Sequence, residues 1–277
     1  MTDVVREAFF LEAGGGGRFC VHTHHASVRA GNVLLVPPFA EELNKSRRMT
    51  ALAAQAFAER GWRVLQHDLL GCGDSAGDFG DASWAAWLDD VDRACAWLEQ
   101  DDDAPTVIWS LRAGSLLAAD WMKKAGRALP WLAWHPVSNG KQHLQQFLRL
   151  KGVSEMLAEA DAKATMSALR QALAERQVVE VAGYAIAPEL VDGLESSVLD
   201  IAPGHAAPIC MLELVGQPEP ECSPALRLLV DRLRKQGGTV EARALQGPAF
   251  WQTQEIETSP TLIEASCEVL EGWRRAH

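Results

Sequence analysis

Basic charge is in short supply in this chain, its cysteines show no pairing pattern, and no apolar run is long enough to enter a membrane. The 277 residues carry 26 Lys and Arg against 37 Asp and Glu, a net charge of −11. Nucleic acid and anionic membrane both call for clustered cations, so neither is expected as the main partner. Six cysteines (Cys20, Cys72, Cys95, Cys210, Cys222 and Cys267) are scattered without a C-x-x-C pair. That spacing excludes a zinc ribbon or a disulfide frame and leaves buried thiols. No stretch reaches the length that spans a bilayer. Met1–Glu7 lacks the basic-then-apolar layout of a secretory signal, so a cytoplasmic protein without a membrane span is expected. Repeats and low-complexity linkers are missing as well.

What is present is an apolar fraction of 48%, enough for a substantial core in one domain. Two strands, Glu7 to Ala13 and Arg18 to His24, flank the Gly14–Gly17 run and suit a hairpin. Asn32-Val-Leu-Leu-Val-Pro37 is a continuous apolar run of the kind buried on both faces. A helix over Ser46–Arg60, a strand over Trp62–Asp68 and an amphipathic helix marked by Trp84, Trp87, Val91, Cys95 and Leu98 follow. Next come a strand Thr106–Trp109, a helix from Ala113 and a strand Pro130–Pro136. This alternation predicts a mostly parallel sheet with right-handed crossovers. Residues 140–200 interrupt it with mainly helical patterning. It resumes with the strand Ile209–Val215, the helix Pro224–Gln236, the strand Thr239–Leu245 and the helix Pro260–Arg275.

The segment Val107-Ile-Trp-Ser-Leu-Arg-Ala-Gly114 is the most informative. A strand enters a tight turn and leaves as the small-residue helix Gly114-Ser-Leu-Leu-Ala-Ala119, which is the setting of the G-x-S-x-G nucleophile elbow of α/β-hydrolases. With Gly114 as the last glycine, Ser110 takes the place of the first, and Arg112 stands where the serine belongs. Arginine stays protonated and does not attack a carbonyl. The fold class expected is an α/β-hydrolase fold, with 140–200 as a helical cap inserted into a single domain.

Four segments carry a more specific resemblance: Pro37-Pro-Phe-Ala-Glu-Glu-Leu-Asn-Lys-Ser-Arg-Arg-Met49, Asp68-Leu-Leu-Gly-Cys-Gly-Asp-Ser-Ala-Gly-Asp-Phe79, Trp109-Ser-Leu-Arg-Ala-Gly114 and Phe250-Trp-Gln-Thr-Gln-Glu255. On them the chain resembles the exosortase A system-associated hydrolase 2 family. The resemblance implies a bacterial setting of exopolysaccharide synthesis and sorting of C-terminally tagged exported proteins. Taken at face value, the family's name implies a hydrolase, here of an acyl ester or thioester; a protein partner from that machinery is a separate alternative.

The hydrolase machinery is degenerate. Chain order demands a serine, then an acid, then a histidine. Ser110 belongs to the strand and Ser115 to the helix, so neither sits at the tip of the turn. The loop after the last strand reads Gln246-Gly-Pro-Ala-Phe-Trp-Gln252 without histidine, and His277 is the only histidine beyond it. His135 ends a strand and His205 precedes one, both consistent with capping or packing. In the acid loop, Glu219 aligns with the triad acid and Glu221 is its neighbour.

An oxyanion-type pair of N–H groups remains available from Ala113 and from the loop near Phe39. Arg112 has two readings: a structural arginine paired with Glu41, Glu42 or Asp68, or a clamp for carboxylate or phosphate. Asn44 is a candidate helix N-cap, with Glu41 and Glu42 near a positive helix end. Lys45, Arg47 and Arg48 form a basic cluster whose plain account is a solvated helix turn. Glu41, Glu42, Asn44, Arg47, Arg112 and Glu255 could instead make a charge-paired site, with Glu41 as a base and Phe250 and Trp251 as a wall.

His22, His24 and His25 alternate along an early strand, and a metal there would need a further converging ligand. No metal or cofactor is expected. Three functions stay open: an acyl hydrolase using a Glu-activated water with Arg112 and backbone donors on the oxyanion, a non-catalytic binder of an anionic small molecule, and a protein-binding scaffold.

Overall fold

A computed structural model describes residues 3–100, 104–156 and 162–276. His277 lies outside them, as do residues 157–161 of the interrupting segment. An eight-stranded sheet runs in the order β1-β2-β4-β3-β5-β6-β9-β10. Its members are β1 (Val4–Ala13), β2 (Gly16–His25), β3 (Gly31–Val36), β4 (Trp62–His67), β5 (Thr106–Leu111), β6 (Trp131–Trp134), β9 (Ile209–Val215) and β10 (Val240–Gln246). The hairpin β1–β2 and its join to β4 are antiparallel, and every pairing from β4 to β10 is parallel. The central strands are apolar throughout because both faces are covered. Leu34, Val36 and Ile108 feed one core, while Val33, Leu35, Val107 and Trp109 feed the other. The period of two in a strand divides them this way.

Helices α1 (Glu41–Ala58) and α8 (Pro260–Ala276) cover one face through Met49, Phe57, Leu262 and Leu270. On the other face lie α2 (Trp84–Glu99), α3 (Gly114–Ala125) and α7 (Pro224–Lys235), through Val91, Leu98, Leu116, Trp121 and Leu229. α2 is capped by Ser83, whose hydroxyl accepts the Ala86 N–H, and α3 ends on left-handed Gly126. Both are regular stop and start signals. A buried pair, Arg18 Nε to Asp90 at 2.7 Å, ties β2 to α2. Asp90 also accepts the Leu70 N–H and so anchors the glycine-rich loop after β4.

Two expectations are corrected here. α1 begins at Glu41, five residues before the predicted Ser46, and its N-cap is Ala40, at φ 50° and with no side-chain cap bond. Asn44 is therefore inside the helix and caps nothing. The second concerns detail only, since the interrupting segment is mainly helical, as the pattern suggests, but not wholly so. Between α5 (Ala162–Ala174) and α6 (Pro188–Ser196) it forms a small hairpin, β7 (Val179–Val181) with β8 (Tyr184–Ile186), turning through Ala182 and Gly183 at positive φ.

That segment opens with α4 (Gly140–Met156), and its two ends meet. Asn139 bridges Val198, the Gly140 N–H bonds Ser197 O, and the Leu199 N–H bonds Ser138 O. α6 lies close on α2, since a Cβ at Gly193 would fall 2.0 Å from that of Trp84.

Candidate active site

The elbow is built where the sequence put it. Arg112 follows β5 at φ 53°, the left-handed region that an L side chain enters at a cost of roughly 1–2 kcal/mol. A Cβ at Gly114 would come within 2.4 Å of Val36 O and 2.5 Å of Pro37 O, so only glycine lets α3 pass this close to the end of β3. Strained tip and glycine contact are the two marks of a nucleophile elbow, and the residue at the tip is an arginine.

The flanking serines are committed elsewhere. Ser110 and Ser115 are fully buried, their hydroxyls 2.9 Å apart, and Ser110 accepts the Trp131 indole N–H at 2.8 Å. They serve as buried polar packing.

Arg112 is gripped from two sides. Its Nε donates to Glu42 Oε1 at 3.0 Å, which selects Glu42 among the three partners considered. Its guanidinium lies 5.1 Å from the centre of the Trp251 ring. Trp251 occupies the loop after β10, where a hydrolase of this fold carries its base histidine. Cation and aromatic ring thus face each other across the turn after β5.

Around this pair lies a pocket of about 240 Å³ lined by Phe39, Glu41, Glu42, Lys45, Arg112, His143, Gln146, Phe147, Trp251 and Gln252. Three polar atoms beside it have no hydrogen-bond partner among the described residues: Glu42 Oε2 and both ring nitrogens of His143. Burial raises the Glu42 carboxyl above its ordinary value, against the pull of Arg112. Burial, with Arg112 adding to it, pushes His143 down to about 3. His143 comes from α4, with its ring 5.8 Å from that of Phe39. It lies outside the loop after the last strand, where the fold's base histidine is expected. His135, also lowered to about 3 by burial and by Arg112, packs its ring at a tilt against Trp251 with centroids 4.5 Å apart and accepts the Leu214 N–H on Nδ1.

The sequence candidates divide. Phe39, Glu41, Glu42, Arg112 and Trp251 converge on the pocket. Ala113 is buried at the turn into α3, and its N–H takes no backbone acceptor among the described residues. Asn44 is exposed and donates to Tyr184 Oη at 3.2 Å, while that hydroxyl donates to Glu41, so β8 is pinned to α1. Arg47 pairs with Asp68 at 2.9 Å and lines a separate cleft beside β4. Glu219, Glu221 and Glu255 are exposed and none lines the pocket. The buried carboxylate of β9 is Glu213, and it is spent on the Ser223 N–H and hydroxyl at 2.7 Å each.

No protein-family profile matches the chain, and no curated protein matches it in sequence. Solved structures do. The chain is similar to Est1E from Butyrivibrio proteoclasticus, with a TM-score of 0.62 at 11% identity over 98% of this chain and 99% of that one. It is also similar to mouse alpha/beta hydrolase domain-containing protein 10, with a TM-score of 0.59 at 11% identity over 96% and 98% of the two chains. An alpha-beta serine hydrolase homologue from Coxiella burnetii aligns at a TM-score of 0.56 and 13% identity over 95% of each. The fold is that of the α/β-hydrolases.

Proposed function

We propose that this α/β-hydrolase-fold protein binds a small anionic acyl compound between the elbow and a cap formed by residues 140–200, and that serine catalysis plays no part. The observation that carries this is the gathering of Glu42 Oε2 and both His143 nitrogens, buried and without partners, around the pocket of Arg112. Buried polar groups are nearly always satisfied, so several left open at one pocket mark a place where a ligand completes them. Arg112 spends Nε on Glu42, and its terminal N–H groups can meet a carboxylate or phosphate as a fork. The lining balances Glu41 and Glu42 against Lys45 and Arg112, so recognition rests on geometry rather than on net charge. Ala113 and the loop at Phe39 supply backbone donors near the turn.

A second function, hydrolysis of an acyl ester or thioester, is favoured by one feature. Glu42 has a raised pKa and a free oxygen, the properties of a general base that activates water. Here Glu42 takes the part the sequence offered to Glu41. The resemblance to the exosortase A system-associated hydrolases supports a role beside exopolysaccharide and protein-sorting machinery, in the cytoplasm, with a protein of that system as partner.

Thermal stabilisation by a panel of acyl carboxylates, acyl phosphates and acyl thioesters tests the first function. A ligand at a hundred times its Kd adds about 2.7 kcal/mol, and Arg112→Ala should abolish that gain. A panel that stabilises wild type and Arg112→Ala equally would refute it. Turnover of any ester or thioester that disappears in Glu42→Gln but survives in Ser110→Ala would establish the second. Fluorophosphonate should modify no serine.

A further inference from the structure

On the antiparallel hairpin, remote in sequence from the elbow, β1 and β2 bring three metal-binding side chains together. Glu7 stands directly opposite His22 in the register, and His24, two residues on, shares that face. Glu7 Oε2 lies 3.9 Å from His22 Nδ1 and 3.8 Å from His24 Nε2. One ligand atom from each of the three falls within 4.8 Å of the others. Four-coordinate zinc with bonds of about 2.0–2.1 Å holds its ligand atoms roughly 3.4 Å apart, so the two imidazole nitrogens, within 4.8 Å of one another, close by at most about 1.4 Å and Glu7 moves in by about half an ångström. Glu7 is 63% exposed and can make that movement.

We propose that Glu7, His22 and His24 form a site for a divalent first-row transition ion. Two imidazoles and one carboxylate are a donor set for Zn²⁺, Cu²⁺ or Fe²⁺ rather than for Ca²⁺ or Mg²⁺, and three protein ligands leave a position open to water or an anion. The histidines suit the role. Their rings stack 4.6 Å apart, and Trp97 of α2 sets its edge against His22 at 5.2 Å, fixing the ring. His25 stays out of the set because its Nδ1 accepts the Ser27 and Val28 N–H groups of the following turn.

Arg29 and Arg63 border the same cleft, and their charge opposes a dication, which makes this a site of moderate affinity. The structure adds Glu7, the converging ligand that the His-x-His-His run alone lacks.

Equilibrium dialysis of untagged full-length protein against zinc chloride tests the proposal, with bound metal counted by atomic emission. Wild type should take up one equivalent. Glu7→Gln and His24→Ala, both at side chains that are at least partly exposed, should each weaken binding by more than the roughly 10–100-fold that follows loss of a group merely supporting a ligand. Cys222→Ser, which removes the cysteine that is only partly buried, should bind as wild type does. No zinc on the wild type would overturn the assignment, as would one equivalent held equally well by both ligand variants. Circular dichroism of each variant before dialysis separates lost ligation from lost fold.

Discussion

Arg112→Ala isolates the pair at the centre of the candidate site. The change leaves Glu42 mostly buried, with 18% of its side chain exposed and without the cation that pairs with Oε1. Stranding one member of a buried pair costs about 3–5 kcal/mol, and water from the pocket brings this to the low end, about 3 kcal/mol. The lost contact with Trp251 adds about 0.5–1 kcal/mol. For a chain of this size each kcal/mol moves Tm by about 2–4 °C, so a drop of roughly 7–16 °C is expected at pH 8.

The loss should depend on pH with a definite sign. Folded Glu42 holds its proton above the ordinary value of 4.5, so the folded chain binds more protons than the unfolded one, and stability falls as pH rises through that window. Without Arg112 the window extends further upward. The gap between variant and wild type should therefore be widest at pH 8 and close progressively toward pH 4.5. Adding Glu42→Gln to Arg112→Ala should restore most of the stability at pH 8. Urea unfolding of the four proteins at several pH values gives the cycle. A gap that is flat with pH, or a double variant as weak as the single one, refutes the account of a stranded carboxylate.

Gly114→Ala should prevent folding or cost more than about 3 kcal/mol, because its Cβ meets two backbone oxygens within 2.5 Å that cannot move aside; soluble yield and urea midpoint show it. Asp90→Ala should cost about 3–5 kcal/mol by unpairing Arg18 in the core, while a surface pair such as Arg93 with Asp89 should contribute almost nothing measurable on alanine substitution. The imidazoles of His135 and His143, both lowered to about 3, should show no NMR titration between pH 5 and 8; a midpoint near 6.5 in either would mean that water reaches the ring freely.

Much of the fold could be read from local pattern. Ile209–Val215 is a strand over the residues expected, because seven apolar-rich residues between turn signals have no helical alternative of that length. The start of α1 was misjudged because its true boundary is a strained alanine without a polar cap, while Asn44 offered a false signal four residues inside. β7 and β8, three residues each, are too short to display a period.

At the site, local sequence located the turn between β5 and α3 with Arg112 at its tip. Which acid pairs with Arg112 needed the starting point of α1, since the first turn aims Glu42 at the elbow. His143 escaped because it arrives from a helix that the chain reaches only after leaving the sheet. Glu7 joins His22 and His24 only through strand register, a property of two segments together.

The joined ends of the 140–198 segment bear on how the protein can change over generations. Because Asn139 and Val198 already bridge, the sheet registers only a fixed doorway between β6 and β9, whatever lies beyond it. Lengthening, trimming or exchanging what hangs from that doorway leaves the chain-closure entropy of the scaffold nearly untouched, since such costs grow only with the logarithm of loop length. The frame is thus suited to trying new insertions on an unchanged sheet, and a graft made between Ser138 and Leu199 is the natural way to exchange one.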